Sequence, residues 1–155
     1  MNTDIQAENL LSAWVKISSI MKTSRLTKGL PYNESIVMLL LYKRYLADGT
    51  GYVSIKEIIE ETNMLKSLAN RTVNALEKKG LLVRCDLPGD KRLGYVRCVP
   101  EQLGVFLDVH ESSLSLARRV IELIGTEDTV AFTRLVAKMN DAKFCLQPAH
   151  SEHNE

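Results

Sequence analysis

One stretch, residues 54–99, limits what this chain can fold into more than any other. It opens with Ser54-Ile-Lys-Glu57. At this spacing the serine oxygen accepts from the backbone N–H three residues on, and the glutamate reaches back to the serine N–H. Ile55, Ile58 and Ile59 then give a short helix one apolar face. Glu61-Thr62-Asn63 interrupts that face, and asparagine tolerates the left-handed backbone of a tight interhelical turn. A second helix is expected over 66–79, stopped by Gly80, with Ala69, Val73 and Leu76 turned inward. Strands are expected over 81–83 and 94–99, joined by a turn over 86–92 and ended by Pro100.

The other face of the second helix carries Lys66, Ser67, Asn70, Arg71 and Asn74. Lysine and arginine pair with phosphates, and arginine and asparagine also make bidentate contacts with base edges in the major groove. Helix, turn, helix and β-wing in this order form a unit that binds DNA. The charge agrees in its distribution rather than its total. The chain carries a net +1, but between positions 65 and 97 eight Lys/Arg stand against three Asp/Glu, which makes that segment +5 and the remainder −4. A local basic patch on a near-neutral chain is the footprint of a docking face, not of an indiscriminate nucleic-acid coat.

Three motifs in fixed order, Asn70-Arg71, Leu76-Glu-Lys-Lys-Gly80-Leu-Leu-Val-Arg84 and Pro88-Gly-Asp90-Lys-Arg92, resemble the multiple-antibiotic-resistance regulator (MarR) family over about residues 4–143. The resemblance implies that the helix bearing Asn70 and Arg71 enters the major groove. It also implies that Asp90 orients Arg92 into the minor groove. The expected DNA-contacting set is Ser54, Lys66, Ser67, Asn70, Arg71, Asn74, Lys78, Arg84, Asp90, Lys91 and Arg92. One departure is Leu65, where the family usually has a capping Ser, Thr or Asp. Either Ser67 caps a helix that starts later, or the cap is missing at about 1 kcal/mol. Leu68 stands where the family often has a polar residue, so it meets a thymine methyl or marks a register one residue off.

The flanks read as helices. Residues 3–26 form an amphipathic helix with a wide stripe of Ile5, Leu10, Leu11, Trp14, Val15, Ile17, Ile20 and Met21. Lys28-Gly-Leu-Pro31 breaks it, and Asn33 is expected to cap a second, central helix that is apolar nearly all round. Asp48-Gly-Thr-Gly51 is a loop, and Tyr52-Val53 a minimal third strand against the wing. After Pro100 comes the longest helical stretch, 101–124, ended by Gly125, and then a last helix from Thr126. These apolar faces exceed what so short a chain can bury, and family resemblance adds that such helices pair two copies. The expected fold is therefore mainly α with a small β-wing: one domain over 1–146, with dimerisation helices 4–26 and 101–143 around a DNA-binding lobe 33–99. Residues 147–155 read as a polar tail.

Other chemistries are less well supported. His110, His150 and His153 sit in no nucleophile or metal motif, and Gly49 and Gly51 lack the lysine-serine pair of a phosphate loop. No enzyme, cofactor or bound metal is expected, and Cys145, His150 and His153 are three ligands without a fourth. Cys85 and Cys98 lie on the two wing strands. Period-2 alternation would put Val83 and Cys85 on one face with Val96 and Cys98, most simply as small residues facing the core. Relatives often bind aromatic anions between the dimer helices and the DNA-reading lobe. Trp14, Arg25, Tyr32, Tyr42 and His110 are the candidates for such an effector pocket here. The acidic, polar start, three cysteines without a disulfide framework, and no apolar run long enough to span a bilayer point to the cytoplasm. The sequence thus predicts a homodimeric regulator of transcription, more in keeping with a repressor, on double-stranded DNA. The competing reading is a winged-helix protein–protein module that does not read DNA.

Overall fold

The computed structural model describes residues 2–23, 29–87 and 90–142, and of residues 21–23 and 90–93 the backbone alone. Its elements run α1 (Thr3–Thr23), α2 (Tyr32–Asp48), β1 (Val53–Ser54), α3 (Ile55–Thr62), α4 (Lys66–Lys78), β2 (Leu82–Leu87), β3 (Asp90–Cys98), a 3-10 turn (Pro100–Gln102), α5 (Leu103–Ile124) and α6 (Thr126–Asp141). The chain divides into two compact units, Met1–Leu114 and Ser115–Glu155.

The first unit holds the core. Val37, Met38 and Leu41 of α2, Ile58 of α3, and Ala69, Val73 and Leu76 of α4 are all fully buried. Val53, Val96, Leu82 and Cys98 close the core from the sheet, and Leu103, Phe106 and Val109 from the first turns of α5. Burying a side chain of this kind contributes about 1.5–3 kcal/mol, so ten or more of them oppose the chain entropy of a small lobe. The helix read as central, α2, is central.

Local chemistry sets the boundaries. The capping box at Ser54 and Glu57 is formed, with Glu57 N donating to Ser54 Oγ at 3.0 Å and Ser54 N to Glu57 Oε2 at 2.8 Å. Asn63 takes φ 55°, as the tight turn requires. Past the end of α4, Gly80 at φ 73° lets its own N–H donate to Glu77 O, while Leu81 N donates to Leu76 O. That pairing satisfies carbonyls the helix end would leave orphaned, and both Leu76 and Leu81 are buried behind it.

Three expectations need correction. The wing strands are longer than read: β2 reaches Leu87 and β3 starts at Asp90, because the pairing Leu87↔Asp90 extends the ladder through a bulge after Cys85. The third strand is Val53–Ser54, one residue later than expected, paired through Val53↔Val96. Asn33 does not cap α2. Pro31 holds that position and no side chain bonds there. Of the two readings of the start of α4, the missing cap holds, because the helix begins at Lys66 with Leu65 as an N-cap that offers no oxygen.

In the second unit, α5 continues to Ile124, Gly125 breaks the chain at φ 86°, and α6 follows with no buried residue. Among the described residues, no helix is long and apolar enough to cross a membrane.

Candidate nucleic-acid interface

Helix α4 is held from three sides. Its inward face is the buried row Ala69, Thr72, Val73 and Leu76, with Thr72 Oγ1 donating to Leu68 O at 2.9 Å. Lys79, just beyond its last turn, places Nζ 2.5 Å from Oε2 of Glu34, a buried carboxylate in the first turn of α2. Leaving that carboxylate unpaired would cost more than an exposed pair contributes, so the contact fixes the C-terminal end of α4 to α2. Neither residue stands out in the sequence, since they are 45 positions apart.

The third restraint joins α4 to the wing. Arg84 of β2 donates through Nε to Glu77 Oε2 at 3.2 Å and through Nη2 to Asn74 Oδ1 at 2.5 Å. A parallel tie links α2 to α3, where Arg44 Nη2 donates to Glu57 Oε1 at 2.9 Å. Partial burial pushes the Glu57 carboxyl up. The Ser54 N–H, the Arg44 guanidinium and the Ser54 hydroxyl outweigh it, so the group is held below the ordinary carboxylate range.

So fixed, α4 presents Lys66, Ser67, Arg71, Asn74 and Lys78 exposed to solvent, with Asn70 half-buried at the edge of the row. The spacing 67, 70, 71, 74, 78 is one helical stripe. Leu65, 76% exposed, stands at its head. Leu68 does not belong to this face. It is partly buried and packed against the core, beside the inward row of Ala69, Val73 and Leu76 that the expected register calls for.

Ser54 leaves the DNA-contacting set. It is 4% exposed, and its oxygen and its N–H are both committed to the capping box. Arg84 stays exposed, but its guanidinium is engaged with Glu77 and Asn74. The side chains of Asp90, Lys91 and Arg92 lie outside the described residues. Their backbone begins β3.

The two wing cysteines are on opposite faces of the hairpin. Leu82↔Cys98 and Arg84↔Val96 are paired, as are Cys85↔Tyr95 and Val83↔Arg97. Cys98 therefore shares its face with the buried Leu82 and Val96, whereas Cys85 sits with the exposed Val83. The expectation that Cys85 and Cys98 share a face was wrong, because alternation had been counted along each strand without the register between them. Both thiols are free. Burial pushes each pKa up, against the nearby Arg97 that favours the thiolate. Neither is in the electropositive, exposed setting of a reactive cysteine.

Of the five residues expected around an effector, two come together. Phe106 lies between them: its ring stacks on His110 at 5.5 Å and meets Tyr42 at 5.5 Å, with Tyr42 and His110 edge to face at 6.3 Å. Phe106 is fully buried and was read only as part of a helical stripe. Tyr32 is 54% exposed at the start of α2. Trp14 borders a shallow depression on α1 with Val15, Ser18 and Ser19. Arg25 lies outside the described residues, as do Cys145, His150 and His153. No group of three His, Cys, Asp or Glu suited to a metal occurs among the described residues.

Solved structures share this arrangement at low identity. The chain is similar to Sco3205, a MarR-family transcriptional regulator from Streptomyces coelicolor solved in complex with DNA. The TM-score is 0.74 and the identity 16%, over 93% of this chain and 93% of that one. It is also similar to the transcriptional regulator BldR from Sulfolobus solfataricus, with a TM-score of 0.69 and 20% identity over 89% of this chain and 99% of that one. A third is BpsR of Bordetella bronchiseptica, studied for regulation of its DNA binding by 6-hydroxynicotinic acid. There the TM-score is 0.67 and the identity 18%, over 86% of this chain and 98% of that one. No curated protein matches the chain. At such identities the structures establish the fold. In sequence, residues 29–93, which run from just before α2 into the wing, match the model of the MarR family. Over that stretch the chain resembles the MarR family, and the solved structures that share its fold include transcriptional regulators.

Proposed function

We propose that this protein is a cytoplasmic, sequence-specific DNA-binding repressor that acts as a homodimer on a pseudo-palindromic operator. One observation carries the reading: an exposed polar and basic row, Lys66, Ser67, Arg71, Asn74 and Lys78, on a helix whose opposite side is fully buried. In a dimer, two such helices enter successive major grooves while Lys91 and Arg92 of each wing reach the flanking minor grooves. Residues 4–26 and 101–143 supply the dimer contacts, around the lobe 33–99. The apolar side chains exposed along α1 and α6 support this, Ile5, Val15, Val130 and Phe132 among them. A small aromatic or anionic effector that alters the spacing of the two lobes releases the operator. The response of BpsR to 6-hydroxynicotinic acid supports such a ligand, and the ring cluster of Tyr42, Phe106 and His110 is where it would be felt.

The test selects bound duplexes from a random pool with the purified protein, then measures affinity for the selected and a scrambled duplex over a salt series. Arg71→Ala should lower the preference for the selected duplex about 5- to 100-fold, as expected for a lost guanine fork. Arg92→Ala should weaken both duplexes and flatten the salt dependence by about one unit of slope. If the pool yields no enriched sequence and neither substitution changes affinity, the lobe is a protein-interaction module instead.

A further inference from the structure

Asn74 is the one asparagine on the α4 stripe whose amide is already committed. Arg84 Nη2 donates to its Oδ1 at 2.5 Å, while Arg84 Nε donates to Glu77 Oε2. A guanidinium has donors only, so the atom of Asn74 that faces it must be the oxygen. A free asparagine reads adenine by accepting from N6 with its oxygen while donating to N7 with its nitrogen. The oxygen keeps a second lone pair, but it is held toward Arg84, so the NH2 group is the part of the amide with no partner fixed among the described residues. That group matches paired acceptors, N7 with O6 of guanine, or O4 of thymine, whereas adenine offers it N7 alone beside an N6 amino group that it cannot pair with. It does not match the amino group of cytosine.

We infer that Arg84 is a positioning residue that sets the base preference of Asn74, turning it from an adenine reader into a donor-only probe for guanine or thymine. The inference rests on the proposed DNA reading and gives Arg84 a different role from a phosphate contact. Its charge is offset by Glu77, 3.2 Å away, so it adds little to the field seen by a backbone phosphate. The contact also crosses from β2 to α4, so the wing strand sets what the recognition helix can read.

The test starts from the duplex selected by the wild-type dimer, with every half-site position changed to each of the four bases. Failure of the wild type to select any duplex would overturn the DNA reading itself. With a selected duplex in hand, Asn74→Ala should flatten discrimination at one half-site position, where the wild type favours guanine or thymine about 5- to 100-fold. The double variant Glu77→Gln/Arg84→Met keeps the local net charge and the arginine's apolar stem but removes the donor. It should shift the preference at that same position toward adenine, with the salt slope unchanged. Arg84→Lys, which still donates, should retain the wild-type preference. The inference is overturned if the double variant keeps the wild-type ranking at every position. It is equally overturned if the salt slope of that variant falls by about one, which would make Arg84 a phosphate contact. A melting temperature near that of the wild type, read on the same samples, separates a changed preference from a misfolded wing.

Discussion

In α4 the side chains that helical period turns inward, Ala69, Val73 and Leu76, are fully buried, whereas in α6 Val130, Phe132, Leu135, Val136 and Met139 are all 40–63% exposed. Both helices are amphipathic by sequence. The lobe around α4 has three other helices and a sheet to complete its core, and among the described residues of its own unit α6 has no such cover. Amphipathicity alone therefore does not say whether a face is covered from within the chain. It says that the face needs cover, and the inventory of neighbouring elements decides whether one chain suffices.

The contrast should show first in stability. Phe106→Ala removes a fully buried ring at the root of α5 and should lower the unfolding free energy by about 3–5 kcal/mol. Leu123→Ala, at a position 84% exposed in the single chain, should cost less, and its cost should vary with protein concentration because any cover comes from a second copy. Urea titration of both variants checks this, and equal losses would erase the distinction between the two regions.

A second experiment addresses the cover itself. Val130→Asp with Leu135→Asp places two charges on the exposed face of α6 and should give a monomeric mass by light scattering at micromolar concentration, with the lobe still folded by circular dichroism. A dimer that survives both charges would place the interface elsewhere.

The next effects lie within the lobe and are smaller. Leu65→Ser should supply the missing N-cap oxygen of α4 and raise stability by about 1 kcal/mol. Glu57 is more subtle, because its folded pKa lies below its unfolded value. Its contribution is complete above the ordinary carboxylate range and is lost as pH falls through the depressed folded value. Glu57→Gln should therefore remove part of the acid-side decline in melting temperature while costing under about 1 kcal/mol near neutrality, since the group is partly exposed. Replacing both Cys85 and Cys98 by alanine should leave the effect of oxidant on DNA affinity unchanged, because the two thiols point to opposite faces.

Features fixed by residues three or four apart were readable before any coordinates: the capping box at Ser54, the left-handed Asn63, the stop at Gly80, and the inward row of α4. What failed was set by partners distant in sequence. The parity of Cys85 and Cys98 depends on how β2 registers against β3. The burial of Leu68 depends on which neighbours close over it. Glu34 and Lys79 meet only because two helices cross, and no spacing along the chain announces such a pair. Ser54 shows a different error. It is expected both at the DNA and in the cap, and a hydroxyl that accepts from Glu57 N–H in a buried box is too far from solvent to donate to a phosphate.

Helix α5 has its buried residues, Leu103, Phe106 and Val109, only in its first two turns, and then runs on to Ile124. Within the first unit that anchorage is a single row at three-residue steps, and the stacked rings of Phe106 and His110 belong to it. A row of three is a seam, and in close-packed surroundings a change of ring size at Phe106 or Tyr42 is felt along its whole length.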